Sequence, residues 1–399
     1  MMQPAEDTDT LTFPEPGLVI QTVSDERTFL ALKPAWNKLV EEAEIDHPFL
    51  NHEWVDAWWQ SFGAGKKLHI LVVKAGERLV AIAPLMLGEG RMYGIKVRKL
   101  QFIANVHTPR FDLIIAGRRT AVYRAIWSHL SSLTDLWDVI EWSQIVFDSM
   151  TLRELPELAA GERFLTGLWH SEDCPYVNFA GGWTALLQSL SHNHRSQMRK
   201  RLRRLRRVGA VRLEIVASGD DLNRDVEDGL AIEAAAWKAQ AGTAILCRPE
   251  LIQFYRRTAE QTARLGTLRL IFLNVAGSRI AFAFALCDKN KIYVLKAGYR
   301  PEYAAYSPYL LLCFLLFEDA CARGLKEYEF LGGSDSWKLR WTDKTKPQYW
   351  LYIFPRRPRT SLIHAVKFRA LARLRRKRLT KNRSGGAAFH NRRRLASLL

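Results

Sequence analysis

The 399-residue sequence predicts an α/β (α+β) fold in two halves of similar length, each a mixed central sheet flanked by helices. Three observations carry this. Runs rich in β-branched and aromatic residues alternate with stretches of helical periodicity along most of the chain. Three of those runs, 268–274, 279–287 and 291–297, are joined through Ala276-Gly277 and Asp288-Lys289-Asn290, so they read as antiparallel hairpins. The stretch from Lys291 to Trp341 then passes from strand to helix to strand, a crossover that makes its two strands parallel neighbours.

The chain is organised around that crossover. Its helix has Ser307 as N-cap, Pro308 at the first helical position and Gly324 just past the end. Residues 309–317 leave no polar face over two turns, so the helix is expected to be covered on both sides, with its start deep at the end of a sheet. Free backbone N–H groups there suit an anion such as a pyrophosphate. The plainer reading is a core helix whose first turn is capped by Ser307.

In chain order, residues 1–17 are acidic and proline-containing, without the basic and apolar regions of a signal peptide, and read as a disordered N-terminus. Residues 18–171 form the first half. Helical spacing covers Glu26–Glu44 and Glu53–Phe62; strands at 68–74 and 79–87 flank a hairpin at 75–78. The runs 98–104 and 111–116 continue the sheet, and a helix at Thr120–Leu133 and a strand at 137–142 follow. Trp54, Trp58 and Trp59 read as core packing. The chain crosses to the second half, 172–355, near Cys174–Phe179. A long helix is expected over Trp183–Val208, a strand at 211–217, helices at Asp221–Ala239 and Pro249–Leu265, and a last strand at 348–354.

Of the net charge of +18, fifteen positive charges and no acidic residue lie in 356–399, which leaves +3 for residues 1–355. Basicity belongs to the tail. Ile363, Val366, Phe368, Leu371 and Leu374 among basic residues predict a cationic amphipathic helix over Ser361–Leu379, a type that binds anionic membrane surfaces or nucleic acid. No apolar run reaches the roughly 20 residues that a bilayer span needs. Five scattered cysteines lack CxxC or Cys/His spacing, so they read as buried free thiols of a reducing cytosol, with no metal site. These features predict a soluble cytoplasmic protein with a peripheral tie to the inner membrane face. P-loop, nucleophile-elbow and HExxH motifs are absent, which argues against a P-loop NTPase, an α/β-hydrolase and a zincin.

Three clusters are candidates for chemistry. Residues 194–207 hold eight Lys/Arg around a stripe of Met198, Leu202 and Leu205; Arg195 and Arg199 are the candidates for contact with a phosphate. Asp335 and Lys338 lie in an irregular segment after a strand end, where Asp335 is a candidate general base and Glu329 its equal rival. Glu233 and Trp237 share a helix face, as a surface carboxylate with a core Trp or as part of an acceptor pocket.

The segments Tyr306-Ser307-Pro308 and Gly333-Ser334-Asp335-Ser336-Trp337-Lys338-Leu339-Arg340-Trp341 resemble the cofactor half of the GNAT acyltransferase fold, in its FemAB-related BioF2-like or CelD-like branch. Asp46-His47-Pro48-Phe49-Leu50 with the nearby tryptophans, the arginine-rich helix and Glu233-x-x-x-Trp237-Lys238 resemble further parts of that family. The resemblance covers residues 20–355 and implies tandem GNAT-like domains and an N-acetyltransferase-type activity. It implies transfer of an acyl group from acyl-CoA to an amine or sugar-linked acceptor, in a cell-envelope or exopolysaccharide setting. Tyr306, Ser307, Tyr309, Arg195 and Arg199 are then cofactor contacts. Asp335, Glu329 and Glu233 are catalytic candidates, and Trp237, Lys238, Trp337 and Lys338 are substrate contacts. Tyr309 departs from the glycine that usually follows Ser-Pro, and a ring there narrows the pyrophosphate site. Two alternatives keep the fold: an aminoacyl-tRNA-dependent transferase, and a degenerate domain that binds membranes or nucleic acid.

Overall fold

The computed structural model describes residues 17–235 and 245–370. The first half holds β1 (Leu18–Val23), α1 (Glu26–Ala31), α2 (Lys33–Glu42), α3 (His52–Phe62), β2 (Lys67–Leu68), β3 (Ile70–Ala75), β4 (Arg78–Ala83), β5 (Leu85–Met92), β6 (Ile95–Phe102), β7 (Ile114–Ile115), α4 (Arg119–Ser132), β8 (Val139–Val146), α5 (Thr151–Gly161) and β9 (Leu165–Asn178). The second holds α6 (Gly182–Ser189), α7 (His192–Arg206), β10 (Val211–Val216), α8 (Leu222–Ala234), α9 (Pro249–Arg264), β11 (Leu268–Val275), β12 (Ser278–Asp288), β13 (Lys291–Tyr299), α10 (Pro308–Ala322), β14 (Glu327–Glu329), β15 (Thr345–Phe354) and α11 (Pro358–Ala365).

The expected mixed sheets are present, but they are shared between the halves. One sheet of four strands runs β1-β3-β4-β7; the other has eleven, ordered β10-β11-β12-β13-β14-β9-β15-β8-β6-β5-β2. Pro84, which has no N–H to donate, separates β4 in the small sheet from β5 in the large one, so the single predicted strand 79–87 is two. Fourteen-residue β9 stitches the halves together. Residues 165–175 pair with β15 and 176–178 with β14. The last strand, β15, lies between β9 and β8, so the chain returns to the first half's sheet before it ends.

Helices deviate from expectation at polar breaks. Trp183–Val208 is two helices, because Leu190 is extended and the Ser191 hydroxyl accepts from the His194 N–H to start α7 afresh. The stretch from Glu26 likewise divides at Leu32, ahead of Pro34. The two halves share one apolar core: Trp54 and Phe62 of α3 meet Phe254 of α9 at ring-centroid distances of 5.2 and 5.3 Å. Helix α10 buries Leu311, Leu312, Phe314, Leu316 and Phe317, as its all-round apolarity predicts.

The basic tail begins inside the fold. Helix α11 starts at Pro358, three residues before the expected start, and runs into a π-helical turn over Val366–Ala370. Thr360, Ile363 and Lys367 are buried. Leu371, Leu374 and the rest of the expected amphipathic helix lie outside the described residues. Of the cysteines, Cys174 and Cys313 are buried, whereas Cys247 is exposed on a short 3-10 turn. No described helix is long and apolar enough to cross a membrane.

Candidate functional site

The site begins where two parallel strands part. β13 pairs with β14 only over Lys291–Tyr293, opposite Glu327–Glu329, and then continues to Tyr299 against β12 alone. An extra residue at Leu295 bulges β13 between its Phe284–Lys296 and Ala285–Val294 pairs. A bulge bends a strand and disturbs its ladder. Residues 294–299 therefore present a backbone edge to a cleft of about 1240 Å³ that opens between β13 and β14 and runs onto the first half's sheet. Gly298 is required where β13 passes α8, because a Cβ there would come 2.5 Å from the Glu233 Cα.

Helix α10 starts at this opening. Ser307 occupies the cap position but does not cap: its φ of 53° is left-handed and its hydroxyl accepts no first-turn hydrogen bond. The expected Ser307 side-chain cap is thus corrected, since the left-handed backbone turns the side chain away from the first turn. With Pro308 carrying no N–H, the first turn has no capping side chain, and Ser307, Tyr309 and Leu310 all line the cleft. The Tyr309 ring leans edge-on against Trp337, at 5.5 Å, and its hydroxyl lies 3.2 Å from that of Tyr328. Tyr306 lies just outside the cleft lining, under the guanidinium of Arg204 at 5.3 Å. Arg195 (half-buried) and Arg199 (exposed) are on α7, away from the cleft wall.

The predicted chemical residues divide. Asp335 lines the cleft with its side chain half exposed, 3.6 Å from Lys338 Nζ. Lys338, itself buried, donates to the carbonyl oxygens of Leu331 (2.8 Å) and Gly333 (2.9 Å) and so ties down the turn through left-handed Leu331 and Gly332. Burial pushes its pKa down. Trp337 lines the cleft between Tyr309 and Phe330. Glu233 is fully buried at the cleft wall and accepts from the Ile245 N–H at 3.1 Å, so it is not the surface carboxylate of the alternative reading. Trp237 and Lys238 lie outside the described residues.

Glu329 is elsewhere. It is fully buried below the cleft, paired with Arg110 at 2.6 Å and Lys346 at 2.7 Å, and Lys346 also binds Glu327 at 2.5 Å. Burial pushes the Glu329 carboxyl up, but Arg110 and Lys346 outweigh it and hold the pKa below the usual range. As a base it is occupied. Sequence reasoning missed Glu172, on β9, whose carboxylate oxygen would lie 3.7 Å from a Cβ at Gly332. Burial raises its pKa, with Lys338 opposing. His107 was also missed; burial, reinforced by Lys296 and Arg248, pushes it down to about 4, so it faces the cleft neutral. Both belong to the first half or its junction, and no spacing in the sequence links them to Asp335. Among the described residues no cluster of His, Cys, Asp and Glu is arranged to hold a metal.

Residues 192–339, from α7 to the turn at Lys338–Arg340, match the family model described as an acetyltransferase (GNAT) domain. Among solved structures the chain is similar to FemX, with 13% identity and a TM-score of 0.54 over 83% of this chain and 98% of that one. A conserved protein of unknown function from Bacteroides thetaiotaomicron VPI-5482 overlaps at 10% identity and TM-score 0.55, over 84% of this chain and all of its own. A tandem GNAT protein from the clavulanic acid biosynthesis pathway gives 12% identity and TM-score 0.46, over 84% and 98%. At such identities the likeness is one of fold. No curated protein matches the chain.

Proposed function

Taking the chain as a FemAB-related GNAT-fold acyltransferase, we propose that it transfers an acyl group from acyl-CoA to an amine acceptor held in the cleft. One observation carries the donor assignment: β13 parts from β14 after Tyr293, directly beside the uncapped start of α10. A pyrophosphate is stabilised by backbone N–H groups and the positive end of the helix dipole. A pantetheine arm carries amides that pair with an exposed strand edge, as any added strand does. The thioester carbonyl then lies near the bulge at Leu295, whose backbone N–H, out of register with β12, can stabilise a developing oxyanion.

The acceptor must arrive as a free amine. Its nitrogen attacks the thioester carbon, the C–N bond forms and the C–S bond breaks, and CoA leaves as thiolate to take up a proton. The extra proton on nitrogen passes to a cleft carboxylate. Asp335 and Glu172 both line the cleft near Lys338, and the raised pKa of Glu172 suits it to take this proton.

The test is calorimetric titration with acetyl-CoA and a longer acyl-CoA, beside an Ala304→Asp variant. Ala304 is exposed at the cleft mouth, so a carboxylate there repels a pyrophosphate without disturbing the core. Saturable binding weakened at least tenfold in the variant supports the reading. Binding of neither thioester overturns it and leaves the aminoacyl-tRNA donor, for which the exposed guanidiniums of α7 provide a surface; binding would then fall steeply with salt.

A further inference from the structure

The cleft has a second arm that the donor does not explain. It runs over the cleft face of β9, β15 and β8, and its lining includes Gln144, Trp169, Gln348, Trp350, Tyr352 and Lys367. Trp350 and Trp169 are directly paired across β15 and β9, so their side chains lie next to each other on one face of the sheet. Both are half-buried, which leaves part of each ring open to the cleft. Tyr352, two residues along β15, extends the platform; its ring lies 6.4 Å from that of Trp350 at an interplanar angle of 27°. Lys367 arrives from the C-terminal π-helical turn and places its ammonium 4.5 Å from the Trp169 centroid and 4.2 Å from that of Tyr352. Cation–π attraction of this kind holds rings in place.

Two strand irregularities border the platform. Ser171 is an extra residue in β9, between the Gln348–Glu172 and Tyr349–His170 pairs. In β8, Ser143 and Gln144 together oppose Trp350, and Gln144 has a φ of 65°. With Leu295 on β13, three mid-strand bulges converge on one cleft, and each contributes a lining residue. Bulges re-aim side chains near binding sites, and a left-handed non-glycine is retained where the surrounding structure has a use for it. Gln348, fully buried, donates to the Pro109 carbonyl at 2.7 Å, which fixes its amide at the edge of the platform.

We propose that this arm is the acceptor subsite and that it takes a pyranose ring, so that the acyl acceptor is an amino sugar. This rests on the acyltransfer reading for the identity of the reacting amine. The chemistry is specific. The C–H face of a pyranose is weakly positive and lies on the negative face of an indole, whereas its rim of hydroxyls needs groups that both donate and accept. The primary amide of Gln144 and the Ser171 hydroxyl supply such groups around an aromatic floor, with the Gln348 amide held behind them by Pro109. Glu172 faces Gln348 in the β9–β15 register, two residues or about 7 Å along β15 from the Trp169–Trp350 pair. An amino group on one edge of a sugar stacked on the tryptophans thus comes towards the carboxylate assigned to take its proton. Lys367 is a positioning residue, since it orders the rings.

Saturation-transfer difference NMR on the full chain, without acyl-CoA, tests this with a β-linked glucosamine disaccharide, adenosine and an amine-bearing tripeptide as separate probes. The expected result is saturable transfer to the ring C–H protons of the disaccharide, weakened at least tenfold in Trp350→Ala, retained in Trp350→Phe and reduced severalfold in Lys367→Met. Melting temperatures of the variants show that they fold. No transfer to the disaccharide, transfer to adenosine or the tripeptide alone, or transfer unchanged in Trp350→Ala overturns the proposal. Loss of sugar binding with acyl-CoA binding intact refutes this subsite alone. Sugar binding without acyl-CoA binding supports the subsite and refutes the donor.

Discussion

At the scale of single residues, the ion pair of Arg110 and Glu329 shows how a catalytic candidate becomes a structural one. Glu329 is fully buried and Arg110 nearly so, and the two come from opposite halves of the chain. A charge left alone at such a depth costs far more than the pair contributes, because its desolvation is no longer offset. Arg110→Met leaves Glu329 one partner, Lys346, and should therefore destabilise the protein by less than the about 3–5 kcal/mol that an uncompensated buried charge costs. The double Arg110→Met/Glu329→Leu variant should recover most of that, with Lys346 still held by Glu327. Chemical denaturation of the three variants measures this; a double variant no more stable than the single one would sink the argument. Glu329 looked like a rival to Asp335 because both are carboxylates near one strand end. Only the pairing of β14 with β9 and the reach of Arg110 from the far half decide between them, and neither is a local property of the sequence.

At the scale of elements, the crossover from β13 through α10 to β14 was legible because its punctuation is local: hairpin turns, Pro308 at the helix start and Gly324 at its end. The second arm of the cleft was less so. Gln348, Trp350 and Tyr352 alternate with Tyr349, Leu351 and Ile353, which marks a strand with two different faces, but the sequence does not say what the first face meets. The answer lies in β9 and the chain's C-terminal turn. Gly167 is opposite Tyr352 in the register, and a Cβ on it would come 2.4 Å from the Phe368 ring, so the absence of a side chain lets the C-terminal segment lie down on the sheet. Gly167→Val should undock α11 and its π-helical turn. Hydrogen exchange over residues 358–370 should then rise by at least tenfold, with β11–β13 unaffected. Gly167→Val/Phe368→Ala should restore part of the protection, since the smaller side chain removes the clash; equal exchange in the single variant and the wild type would show that the ring can move aside at no cost.

At the scale of the whole molecule, the two halves behave as one body through an eleven-stranded sheet and a common core, so a titration in one half is felt by both. Two histidines near the junction, His47 buried and His107 half-buried, set the direction. His47 is pushed down to about 3 by burial and by the nearby Arg110, with Asp46 and Glu329 opposing. His107 is pushed down to about 4 by burial. Each binds its proton more weakly folded than unfolded, so between its ordinary pKa of 6.5 and its folded value the unfolded chain takes up more protons. The stability they contribute is complete above pH 6.5 and is lost as pH falls towards 4, and for His47 further towards 3. Each pH unit of that window costs about 1.4 kcal/mol per histidine. Against them, the raised carboxyl of Glu172 gains stability on protonation, which flattens the lower part of the curve. The melting temperature should hence drop most steeply between about pH 6 and 5, where the unfolded histidines have taken up their protons and the folded ones have not. His47→Asn keeps an acceptor for the Phe49 N–H that His47 Nδ1 receives at 3.3 Å, but cannot take a proton. Melting curves at pH 7.5 and 5.5 should show a smaller drop in this variant than in the wild type. An identical drop in both would mean that His47 is charged inside the fold, and that the junction between the halves admits water.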